Sequence, residues 1–117
     1  MMNEYIFERI DCENDPLWVV KDFFNSLSLS ERLLWGVEKV IYRHGFVINE
    51  TYCHFPDFKD SDPEFHFEGV MFGVWEGEII LPESVGFEYV KTACDKYLQL
   101  HPEDTEAVKI LLAKIPS

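Results

Sequence analysis

Positive charge is what this chain has least of. Ten Lys and Arg stand against 22 Asp and Glu, leaving a formal net charge of −12 over 117 residues. That balance repels phosphate backbones and anionic membrane surfaces at a distance and draws in basic surfaces. Nucleic acid and membranes are therefore excluded as partners, and a cationic protein is expected. Cysteine is scarce too: Cys12, Cys53 and Cys94 are an odd number, widely spaced and without a C-x-x-C pair. Neither a disulfide framework nor a zinc knuckle is indicated, and a reducing, cytoplasmic setting fits. No apolar run approaches the roughly 20 residues that span a bilayer. The opening MMNEYIFERIDCEND carries acids where a secretory signal would carry Lys or Arg before an apolar stretch.

The motifs of catalysis are also missing. There is no G-x-S-x-G, no glycine-rich phosphate loop and no H-E-x-x-H. His44, His66 and His101 have no partner at i+3 or i+4 that would form a metal motif, and the adjacent Cys53 and His54 would face opposite sides of a strand. No cofactor, no metal and no enzymatic activity are expected.

What is present is enough apolar sequence, 47% hydrophobic and 15% aromatic, to bury a core in a single domain over residues 1–117. Asp15-Pro16 reads as an N-cap and first helical residue, followed by Leu17, Val20, Phe24 and Leu27 at helical spacing, which predicts a helix to about Ser26. Ser28 and Glu31 have capping-box spacing for a second helix that Gly45 would close. FVI and TYCHF are short strand candidates. EFHFEGVMFGVW and EIILP read as two longer strands joined around Glu76-Gly77, where glycine would supply the positive φ of a tight hairpin. A third helix capped by Ser84 should bury Gly86, Val90, Ala93, Cys94, Tyr97 and Leu98, and a fourth begins at Pro102. Helices at both ends and strands between them predict an α+β fold, a mainly antiparallel sheet of three or four strands packed by N-terminal and C-terminal helices.

Charge is segregated along this order. Residues 46–83 hold nine acids and one base, −8 of the total, whereas residues 16–45 carry a net +1. The densest part is FPDFKDSDPEFHFEGVMFGVWEGE, with Asp57, Asp60, Asp62, Glu64, Glu68, Glu76 and Glu78 answered only by Lys59. An EF-hand counted from Asp60 places Phe65 where glycine is required and Met71 where the closing glutamate belongs, which argues against calcium. A metal-dependent hydrolase lacks a ligand set, and no pair of carboxylates is singled out for acid/base work. Two readings of the acids remain. They solvate a loop and protect a strand edge, or they form a face for a basic partner. Their segregation favours the second, because a merely soluble surface does well with both signs mixed. Phe58 beside the loop and Trp75 at the strand end are candidate apolar anchors. The row Gly69, Met71, Gly73, Trp75 is either covered or left partly exposed to hold that partner.

Ser28, Glu31 and Arg32 at a helix start, YCHFPD at 52–57, FEGVMFGVWEGEIILPES at 67–84 and YVKTACDKYLQLHPED at 89–104 carry a family resemblance. Over about residues 20–115 the chain resembles the immunity proteins of bacterial contact-dependent growth inhibition systems, in the group paired with ribonuclease toxins. The resemblance implies a cytoplasmic protein that binds one cognate tRNA-cleaving toxin domain and blocks its active site or RNA-binding surface. The alternative is an acidic adaptor, or an inhibitor of another basic nucleic-acid-binding protein.

Overall fold

The computed structural model describes residues 6–7, 11 and 13–115. Its elements are α1 (Trp18–Leu29), α2 (Leu33–Ile41), β1 (Phe46–Ile48), β2 (Thr51–His54), β3 (Val70–Val74), β4 (Gly77–Leu81), α3 (Glu83–Leu100) and α4 (Thr105–Leu112). Single 3-10 turns at Pro63–Phe65 and Pro102–Asp104 precede β3 and α4. The strands form one antiparallel sheet in the order β1-β2-β3-β4, so the fold is α+β as the sequence predicts.

Alternation along the strands sorts the sheet into two faces. Phe46, Cys53, Phe72 and Ile79 form one cross-strand row on the inner face, beside Val70 and Leu81. α1 lies over them: Phe23 meets Phe72 edge-on with centroids 4.9 Å apart and Phe24 edge-on at 5.0 Å, geometry that suits the ring quadrupoles. α3 closes on the same face, where Gly86 lets the helix approach Val70 and Phe72. Burial raises the thiols of Cys53 and Cys94 to about 12, so both behave as apolar core residues. Cys12 lies outside the described residues.

The first two helices end differently from the sequence expectation. Ser28 is not a cap: it sits in the last turn of α1, which runs on to Leu29, and its hydroxyl is buried without a hydrogen-bond partner. Glu31 takes φ 58°, with its N–H on Ser28 O and that of Arg32 on Leu27 O, a Schellman ending. α2 closes in the same way on Arg43 at φ 58°, so Gly45 is not its cap. The Arg43 guanidinium then grips Glu83 with Nε and Nη2, tying the end of α2 to the start of α3. At the start of α1, Asp15 Oδ1 accepts from Leu17 N, but the helix proper opens at Trp18.

The hairpin between β3 and β4 turns on Trp75-Glu76, neither of which has positive φ, and Gly77 is the first residue of β4. Its missing side chain leaves room for Trp18 and Val19 of α1, which a Cβ would meet at 3.0 and 3.2 Å. β3 begins only at Val70, because Gly69 at φ 102° bends the chain where a Cβ would stand 2.1 Å from Leu81 O. A further tie leaves no signal in the residue spacing. The Asn25 side chain, 1% exposed, accepts from the N–H groups of Ile6 and Phe7 and donates to Phe7 O, docking that segment on α1.

Candidate functional site

The segment 55–69 joins β2 to β3 and braces itself. Asp57 N donates to Phe65 O at 2.8 Å, closing the neck. Three aspartates then hold their own main chain: Asp57 Oδ1 accepts from Lys59 N, Asp60 Oδ1 from Asp62 N, and Asp62 Oδ1 from Glu64 N. Each is an Asx turn, the short-range bond that favours Asp in loops. His66 Nε2 donates to Asp60 O at 2.6 Å, and its ring stacks on Phe58, which is 65% exposed. The aspartates thus spend one oxygen each on the loop and keep the other for solvent or a partner. Sequence spacing revealed the acids but not this bracing.

The outer face of the sheet lies beside the loop. Phe65 packs edge-on against His54 at 5.3 Å, and His54 neighbours Tyr52 at 5.3 Å. Tyr52, Gly73 and Glu78 share one cross-strand row. The Tyr52 ring covers Gly73, and its hydroxyl donates to Glu78 Oε1 at 2.6 Å. Burial first, then this bond and the charges of Glu78 and Glu64, push the phenol up to about 12. Tyr52 stays an uncharged donor at neutral pH, and Glu64 reaches close enough for its charge to be felt there.

The predicted residues do not all meet. Asp57, Phe58, Asp60, Asp62 and Glu64 form the loop, with Glu78 beside it through Tyr52. Trp75, 76% exposed, and Glu76 occupy the β3–β4 turn at the far end of β3, about 13 Å of strand away. Glu68 lies apart near Gly69, Ile80 and Pro82. The row Gly69, Met71, Gly73, Trp75 is therefore covered at its centre, where Met71 is 2% exposed, and open at its tip.

One carboxylate escaped the sequence reading. Asp22 of α1 is half-buried, and burial followed by the charge of Glu76 raises its carboxyl above the ordinary range. It sits among helical residues whose spacing marks only the core face, so nothing in the sequence ties it to a turn 54 positions later. Among the described residues no group of three or more His, Cys, Asp or Glu is placed to hold a metal ion, and no helix is long and apolar enough to cross a membrane. No curated protein matches the chain. The CDI immunity protein family model does match, over residues 16–112, taking in the four helices, the sheet and the braced loop, and the chain belongs to that family.

Proposed function

We propose that this immunity protein neutralises a ribonuclease toxin, a tRNA-cleaving domain, in the cytoplasm by offering its acidic loop to the toxin's RNA-binding or active-site surface. Family membership implies a cognate toxin as partner. The ribonuclease class is supported by charge, because an enzyme that holds a phosphate backbone must display Lys and Arg. The observation that carries the reading is the braced loop: Asp57, Asp60 and Asp62 each hold the main chain through a single carboxylate oxygen, and Phe58 stands exposed beside them on His66.

Preorganised carboxylates lose little freedom on binding and take the places that RNA phosphates would occupy on the toxin. Charge sets the encounter rate and partner choice, while an aromatic anchor sets the lifetime of the complex. Phe58 is that anchor at the loop. Trp75 and Glu76 at the hairpin tip, with Asp22 behind them, serve a toxin large enough to reach both ends of β3; Glu68 extends the acidic rim. No catalytic step belongs to the immunity protein.

Co-expression with the cognate toxin domain tests the proposal through cell survival and tRNA integrity. Protection with intact tRNA is expected. Survival that depends on the immunity protein while tRNA stays intact even without it would replace the ribonuclease with another toxin class.

A further inference from the structure

The start of α2 holds donors that nothing takes up. The helix has nine residues with Arg32 at its N-cap, and no side chain caps it. First-turn N–H groups have no intrahelical acceptor, and among the described residues none meets Leu33 N or Leu34 N. Ser28, 3% exposed, adds a buried hydroxyl without a hydrogen-bond partner. A pocket of about 300 Å³ brings these residues together, lined by Ser28 and Glu31 and by the apolar or aromatic Leu33, Leu34, Trp35 and Tyr97. Buried polar groups are nearly always paired, so the orphaned hydroxyl points to a partner that the chain itself does not supply.

The pocket carries both signs of charge. Uncapped N–H groups at a helix start favour an anion, and a serine hydroxyl can donate to the same group. Arg32 adds a cation at that end. Glu31 stands at the rim: it is exposed, and among the described residues no ion pair engages it. Its charge would repel a lone anion such as phosphate, whereas a carboxylate that carries an ammonium beside it would be held at both ends. The remaining wall is apolar or aromatic. The Tyr97 ring is fixed there by its hydroxyl, which donates to Asp104 Oδ2 at 2.5 Å, and by contact with the His101 ring at 4.7 Å. An anion, a cation and an apolar body on one small molecule describe an α-amino acid with an apolar or aromatic side chain.

We propose that this pocket binds a free α-amino acid with an apolar or aromatic side chain, its carboxylate on the Ser28 hydroxyl and the first N–H groups of α2, and its ammonium on Glu31. The pocket shares no residue with the 55–69 loop, so the inference does not rest on the toxin's class or on where the toxin binds. Amide proton–nitrogen correlation spectra of the full chain, titrated with L-phenylalanine to about 10 mM, test it, since most of a site with millimolar Kd is filled there. The Leu33 and Leu34 amide signals should shift and saturate. Ser28→Ala should weaken phenylalanine several-fold while the thermal melt of the empty protein stays unchanged or rises, because an orphaned hydroxyl contributes nothing to the fold. Glu31→Gln should weaken phenylalanine several-fold but not hydrocinnamate, which lacks the ammonium. Phenethylamine, which lacks the carboxylate, should leave the two amides unmoved. Absence of any saturable shift at Leu33 and Leu34 overturns the proposal. So does a Ser28→Ala protein that binds phenylalanine as tightly as the wild type, or an equal response to phenethylamine, which would show that no carboxylate is recognised at the helix start.

Discussion

The ring of Tyr52 occupies the space that a side chain at Gly73 would fill: a Cβ there would fall 2.0 Å from Tyr52 Cζ. Gly73 is thus what allows the outer face to hold Glu78 through a neutral phenol donor. Gly73→Ala should cost about 1–3 kcal/mol by overpacking. In a Tyr52→Ala background the same change should cost much less. Urea denaturation of the four members of that cycle measures the coupling, and equal costs in both backgrounds would show that the ring does not depend on the glycine.

Asn25 closes three hydrogen bonds to the main chain of Ile6 and Phe7 inside the core. Asn25→Ala leaves those groups without partners, and each buried orphan costs about 1–3 kcal/mol unless water reaches it. A loss of at least that size, with faster amide exchange at residues 6 and 7, is the expected result. An unchanged urea midpoint would mean that the segment contributes nothing to the fold.

Glu31 holds a left-handed conformation that glycine adopts without strain. Glu31→Gly should stabilise the protein by roughly 0.5–1 kcal/mol, seen as a higher urea midpoint at constant m. Arg43→Gly relieves the same backbone strain but discards the bidentate pair with Glu83, so its gain should be smaller or absent. Equal gains would mean that the pair contributes nothing.

Asp22 has a raised folded-state pKa, so the native state binds its proton more tightly than the unfolded chain does. Its ionised form therefore subtracts from stability at neutral pH, and that penalty fades as pH falls through the raised value to the ordinary 3.8. Asp22→Asn should raise the Tm at pH 7, with the gain disappearing below pH 3.8. A gain of the same size at both pH values would trace the effect to packing instead of charge.

Much of this molecule is legible in its sequence because apolar period and fold agree. FVI is β1 and TYCHF contains all of β2 with one residue to spare, and the stripe Gly86, Val90, Ala93, Cys94 is on the buried side of α3. The departures share a cause, in that main-chain geometry is decided by tertiary contact. Ser28 and Glu31 have the spacing of a cap, yet α1 continues through Ser28 because Leu27 belongs to the core, and Glu31 accepts left-handed strain to end it. Gly77 looks like a turn residue but is small because Trp18 passes over it. At the candidate site, composition exposes the acids of 57–64, whereas their Asx turns and the burial of Asp22 within reach of the Glu76 charge depend on tertiary structure that spacing does not encode.

Those Asx turns also decide how the acidic loop should be probed. Charge reversal at Asp60, Asp62 and Glu64 would slow toxin association, but it would break the loop as well as its charge. The variant D57N/D60N/D62N/E64Q keeps the acceptor oxygen at each turn while removing four negative charges. The most direct measurement is the stopped-flow association rate of this variant and the wild type with the cognate toxin domain across ionic strength. An acidic steering face predicts a rate about tenfold or more below wild type at low salt, a flatter salt dependence and convergence at high salt. Equal rates and equal salt slopes for the two proteins would contradict it.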